Sequence, residues 1–190
     1  MAEITVREVI QAARGIRNAG LSSPFLFWLT FVLGRYANKE GKLAIAPNFV
    51  AGISKDRNKH FPFADPTASD IATLYCDFWF RSQAIICPVP VNIVVGYIAL
   101  VAGTERAIRT LEKALEMDAT GVFHSEIVRE LANRDAIPLA YRILVLYCDE
   151  LSTDTREDIR SLLKSWLEYE RESSLRRIDQ IDQALGYLAE

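Results

Sequence analysis

Histidine and cysteine are scarce in this chain of 190 residues, which has two of the first and three of the second. The cysteines, Cys76, Cys87 and Cys148, are odd in number and show no C-x-x-C spacing. This pattern argues against a disulfide framework and a zinc site, and it is typical of thiols buried in a reducing compartment. We therefore expect a cytoplasmic protein.

The two histidines, His60 and His124, fall in different predicted elements. Cys148 and His124 would form a nucleophile and its base if the fold brought them together. Nothing in their spacing requires this. A small enzyme with a Cys148/His124 site is therefore an alternative to the non-catalytic protein that we expect.

Cofactor and metal signatures are missing as well. The chain has no G-x-G-x-x-G motif and no phosphate-binding loop. Glu112, Glu116 and Glu126 lack the Glu-x-x-His spacing to His124 with which helical bundles aim metal ligands inward. We interpret these carboxylates as a solvated face, and we expect no cofactor and no metal.

Glycine and proline are few and scattered, with nine and seven copies, so no low-complexity linker divides the chain. Half of the residues are hydrophobic and a quarter are charged. That composition favours a folded chain over a disordered one. At this length we expect one domain over residues 1–190. The N-terminus begins with charged residues and does not resemble a secretory signal.

Charge is unevenly distributed. Residues 1–63 carry nine Lys and Arg against four Asp and Glu, whereas residues 149–190 carry six against eleven. The two ends therefore differ by ten charges in a chain whose formal net charge is −3. Surfaces of opposite sign predict self-association or a protein partner.

The basic N-terminal third also suits a nucleic-acid-associated accessory protein, if its cations share one face. Against this alternative, the isoelectric point is about 5.5, whereas dedicated nucleic-acid-binding domains usually exceed about 9. The cations are Arg7, Arg14, Arg17, Arg35, Lys39, Lys42, Lys55, Arg57 and Lys59.

Two segments, 18–34 and 82–104, contain no charged residue. A membrane-associated helical protein is therefore another alternative. Pro88 and Pro90 interrupt the second segment, and the first is short for a bilayer span. We expect both segments to be buried in a helical core.

Apolar residues recur at helical spacing through most of the chain. Thr5 and Glu8 predict a capping box at the first helix. The segment 91–102 is rich in β-branched residues, but its length favours a buried helix. The chain has no Asn-Gly turn and no sustained alternation of apolar and polar residues, so no sheet is predicted. The sequence therefore predicts an all-α, single compact multi-helix domain of roughly seven to nine helices, with a long amphipathic C-terminal helix or helical hairpin over 152–190.

Residues 42–65 are the least regular part. A short helix is predicted to begin at Pro47 and end near Ile53, and beyond it no period is usable. A long irregular stretch in a compact domain is usually functional or mobile. We interpret its basic and aromatic residues as a recognition loop: Lys55, Arg57, Lys59, His60, Phe61 and Phe63.

The last predicted helix has an apolar stripe formed by Ile178, Ile181, Leu185 and Leu188. A terminal amphipathic helix with nothing after it to cover this stripe often packs on a partner. The sequence thus favours a non-catalytic helical protein-interaction or regulatory subunit of a homo- or hetero-oligomeric assembly.

Overall fold

A computed structural model describes residues 3–16, 23–56 and 58–148, together with seven positions of the C-terminal part. The chain divides into two compact units, Met1–Glu150 and Leu151–Glu190. The described positions of the second unit are helical: 161, 164, 165, 168, 169, 171 and 172. The predicted long C-terminal helix falls mostly outside the described residues, and the single domain over 1–190 stays a prediction.

The predicted helical fold is confirmed. The described part of the first unit has seven helices, and these account for most of its residues. They are α1 (Val6–Gly15), α2 (Ser23–Gly34), α3 (Ala68–Arg81), α4 (Val91–Ala102), α5 (Thr104–Ala114), α6 (Ser125–Ala132) and α7 (Ala136–Cys148).

A small antiparallel sheet was not predicted, and it replaces the helix expected from Pro47. Its strands are β1 (Ile45–Ala46), β2 (Phe49–Val50) and β3 (Ile53–Ser54), in that order. Ala51 and Gly52 connect β2 to β3 with φ of 47° and 89°. Positive φ at both central residues is the geometry of the tight hairpin turn that Asn-Gly usually forms. The prediction was wrong because Ala-Gly here adopts that turn without the usual asparagine.

The core is built around α4, which is buried continuously from Val91 to Ala99. Trp28 of α2 and Trp79 of α3 pack together with a ring-centroid distance of 5.3 Å, and Tyr75 lies 5.7 Å from Trp28. The two uncharged segments thus supply α2 and α4, two helices of this core. Among the described residues no helix has both the length and the apolar character needed to span a bilayer.

Capping fixes where the first helix begins. Thr5 Oγ1 accepts the Glu8 amide at 3.3 Å, and the Glu8 carboxylate accepts the Thr5 amide at 2.8 Å. The predicted capping box is confirmed, and these hydrogen bonds from Thr5 lower the pKa of Glu8. Thr67 and Asp70 form the same motif at α3. The start of α3 sets the positions of the side chains farther along it.

Candidate binding clefts

The large cleft has a volume of about 650 Å³. Its walls come from the β2–β3 hairpin, from Asp56 and Asn58, from the C-terminal half of α3 and from the junction of α4 with α5. The polar and aromatic side chains that line it are Tyr36, Ser54, Asp56, Asn58, Phe78, Arg81, Tyr97 and Thr104.

The small cleft lies against the large one and has a volume of about 440 Å³. Residues 58–62 form one wall and α3 forms the other. Asn58, Phe78 and Arg81 line both clefts, so the two adjoin along these three side chains. The floor of the small cleft is largely apolar, because Leu74, Phe78 and Phe61 contribute to it.

Tyr36 and the hairpin turn shape the large cleft. The carbonyl of Tyr36 accepts the Ala44 amide at 2.8 Å, which ties the end of α2 to the chain entering the sheet. A Cβ at Gly52 would lie 2.4 Å from the Tyr36 ring, so the ring packs directly on the glycine. The buried Tyr75 hydroxyl donates a hydrogen bond to the Ala51 carbonyl. Only glycine at position 52 allows this close approach.

Hydrogen bonds hold the predicted recognition loop in place. Asn58 Nδ2 donates to the Ser54 carbonyl at 3.2 Å, and the Phe61 amide donates to the Asn58 carbonyl at 3.0 Å. The rings of Phe61 and Phe63 lie edge to face, 4.9 Å apart. Phe63 is 4% exposed, so it anchors the loop and offers little surface to a partner.

The predicted partner-binding residues thus separate into groups. Lys59, His60 and Phe61 line the small cleft, and Lys55 is exposed in the same loop beside Asp56. Arg57 lies outside the described residues, and so does the predicted C-terminal stripe of Ile178, Ile181, Leu185 and Leu188. Their roles in binding stay predictions.

Several lining residues escaped the sequence analysis. Tyr36, Phe78 and Tyr97 belong to or follow three different helices, and no spacing along the chain relates them. Arg81 was not singled out either. Its Nε and Nη2 bind the Asp77 carboxylate at 3.0 and 2.8 Å, so these two opposite charges compensate one another inside the small cleft.

His124 and the two thiols whose side chains are described, Cys76 and Cys87, line neither cleft. Burial raises the pKa of the Cys76 thiol to about 11 and that of Cys87 to about 12. His124 Nε2 lies 3.6 Å from Oε1 of the fully buried Glu112. Nothing is described for the Cys148 side chain, so the Cys148/His124 alternative stays a prediction. Within the described residues no group of His, Cys, Asp and Glu side chains could hold a metal ion.

Cys76 and Cys87 are expected to be unreactive in the folded protein. At pH 8, pKa values of about 11 and 12 leave roughly one thiolate per thousand thiols or fewer, and both sulfurs are buried. In a Cys148→Ser background, Ellman's reagent should therefore titrate no thiol until denaturant is added, and two thereafter. Rapid reaction of either thiol under native conditions would contradict this burial.

Comparisons with known proteins identify the fold alone. No protein-family model and no curated protein sequence matches the chain. A solved structure, that of SagA from Brucella abortus, superposes with a TM-score of 0.62 and 14% sequence identity. The match covers 79% of this chain and 97% of the other. At this identity the similarity extends to the helical architecture and carries no function across.

Proposed function

We propose that this chain is a non-catalytic interaction protein of the cytoplasm, a subunit that holds an extended segment of a protein partner across the two clefts. The observation that carries the proposal is that Asn58, Phe78 and Arg81 line both clefts, which therefore lie side by side. Two separate pockets would each suit a small molecule. Adjoining pockets with a shared wall suit a chain that places successive side chains in each.

The sizes and linings of the clefts support a peptide. Both volumes fall within the range of roughly 300–1,000 Å³ that is usual for ligand pockets. Apolar surface from Leu74, Phe78 and Phe61 would bury a partner side chain. Ser54 and Asn58 offer polar groups to a partner's main chain.

The rim favours an acidic segment. Lys55 and Lys59 are exposed and outnumber the one carboxylate of the same loop, Asp56, which lines the large cleft, while the carboxylates near them on α3 are already engaged. Asp77 binds Arg81 at 2.8 Å, and Asp70 accepts the Thr67 amide at 2.9 Å. Cations at a rim steer an oppositely charged partner and raise its association rate.

The alternatives have less support. The described cations of the first third lie in separate places, because Arg7 and Arg14 line a groove that shares no residue with either cleft. Nucleic-acid binding would need them on one continuous face. Membrane association would need the uncharged segments at the surface, yet Trp28 and the span from Val91 to Ala99 are buried.

Peptide selection tests the proposed function. A random peptide library displayed on phage and selected on the folded full-length chain is expected to yield acidic sequences with an aromatic or aliphatic anchor. The change Lys55→Gln plus Lys59→Gln should weaken binding of a selected peptide about tenfold at physiological salt. Fluorescence anisotropy measures the affinity, and the melting temperature should not change.

The control removes the same charge elsewhere. Lys113→Gln plus Arg129→Gln changes two exposed cations on α5 and α6 that line neither cleft. These substitutions should leave peptide affinity within twofold. An equal loss in both double variants would mean that net charge alone drives binding, and a failure to select any peptide would reject the clefts as a peptide site.

A further inference from the structure

A third groove, with a volume of about 610 Å³, runs along α1 on a different part of the first unit. Its second wall is formed by Thr30 of α2 and by Glu40 and Gly41 of the following turn. The amide of Val6 donates to the Gly41 carbonyl at 2.9 Å, so the turn is fixed to the start of α1.

The α1 helix has a buried face and an exposed face, and only the exposed side lines this groove. Val9 and Ala13 are fully buried against the rest of the unit, whereas Arg7 and Arg14 are exposed. Ile10 is half-buried and lies between the buried and the basic faces. On a helix with 3.6 residues per turn, this order places the side chain of Ile10 directly beside the two guanidinium groups. We call this side chain the apolar ledge of the groove.

The acidic residues near these arginines are engaged elsewhere. Glu8 accepts hydrogen bonds from the Thr5 amide and hydroxyl, both at 2.8 Å. Glu40 binds Lys42 Nζ at 2.9 Å, and Glu3 binds the same ammonium at 2.8 Å. Within the described part of the chain, Arg7 and Arg14 therefore remain available to an outside anion.

The spacing indicates which anion fits. Arg7 and Arg14 are seven residues apart, which is about 10.5 Å along the helix axis at 1.5 Å per residue. Carboxylates seven residues apart on a second helix have the same spacing, and an apolar residue between them would cover Ile10. A phosphate backbone matches the cations and leaves the apolar ledge uncovered, so the ledge favours a protein helix.

We propose that the α1 groove docks an acidic amphipathic helix of a protein partner, with carboxylates at i and i+7 and apolar residues at i+3 and i+4. This is a second interaction surface, independent of the two clefts, in which a partner helix would lie in a groove lined by Arg7, Arg14 and Ile10. Paired with carboxylates, the two guanidinium groups would form charge-assisted hydrogen bonds.

Two designed helical peptides test the proposal against the full-length chain. One carries Glu at i and i+7 with Leu at i+3 and i+4, and the other has the same composition with its Glu and Leu on opposite faces. Backbone amide NMR shifts of residues 6–14 should move with the first peptide alone. Arg7→Gln plus Arg14→Gln should weaken its binding at least tenfold, while Lys113→Gln plus Arg129→Gln leaves it within twofold.

Other results overturn the proposal. Equal shifts with both peptides, or none with the first, would show that the groove does not recognise an acidic helical face. If a single-stranded oligonucleotide moves the same amides and the first peptide does not, the groove binds phosphates. A negative result in this test would not bear on peptide binding at the two clefts, because the groove and the clefts share no lining residue.

Discussion

Replacing Gly96 by valine is expected to lower the melting temperature of this protein by roughly 6–12 °C. Gly96 lies in the middle of α4, and a Cβ built there would be 2.9 Å from two ring atoms of Trp79 and 3.5 Å from Trp28. Both indoles are buried, with 2% and 0% exposure, and they pack on each other. The Trp79 ring would therefore have to shift to admit the added side chain.

The expected cost is about 3 kcal/mol, because overpacking a dense core forces side chains off their rotamers and displaces the backbone. Domains of this size are stable by only about 5–15 kcal/mol. Yield of soluble protein and the thermal transition followed by circular dichroism measure the effect.

Gly34→Val is the matched control. Gly34 ends α2, is exposed, and has no atom within 4 Å of a built Cβ. The same chemical change should therefore alter the free energy of unfolding by less than about 1 kcal/mol. If Gly96→Val melts at the same temperature as Gly34→Val, the packing of α4 against the tryptophans would be wrong.

Local sequence signals predicted the elements that local chemistry determines. Thr5 and Glu8 form the expected capping box because its hydrogen bonds involve residues three apart. The uncharged residues from Val91 to Ala102 form a buried helix as predicted, although their β-branching suits a strand equally well. The length of this segment and its lack of charge predicted the helix correctly.

Signals that depend on tertiary structure were missed. The sheet depends on Ala51 adopting a φ of 47°, a conformation that alanine rarely takes alone. Two side chains from outside the hairpin support this turn: the Tyr75 hydroxyl binds the Ala51 carbonyl, and the Tyr36 ring packs on Gly52. The clefts were missed for the same reason. Tyr36, Phe78 and Tyr97 meet only after α2, α3 and α4 pack together. The basic loop could be proposed from the sequence because its residues are contiguous, and its role in binding stays a prediction.

Glu112, which the sequence analysis weighed as a metal ligand, lies in a different environment from the one predicted. The sequence places it on a solvated acidic face, whereas its side chain is fully buried on α5. Its two carboxylate oxygens accept the Thr120 hydroxyl at 2.5 Å and the Gly121 amide at 2.7 Å. Gly121 has a φ of 79°, so the carboxylate holds a turn that glycine permits. The carboxylate thus connects α5 to the turn that precedes α6.

Replacing Glu112 by alanine is accordingly expected to lower the free energy of unfolding by about 3 kcal/mol. It removes two hydrogen bonds to a buried carboxylate, and hydrogen bonds to charged groups contribute roughly 1.5–3 kcal/mol each. The lower end applies here, because Thr120 is exposed and Gly121 is half-buried, so both can bind water instead. Glu112→Gln keeps the shape and one acceptor oxygen, so its cost should be nearer 1 kcal/mol. His124→Ala should cost less than that, because His124 is partly exposed and its Nε2 lies 3.6 Å from the carboxylate. Urea unfolding at pH 7 compares the three variants. A cost below 1 kcal/mol for Glu112→Ala would show that the turn holds without its carboxylate.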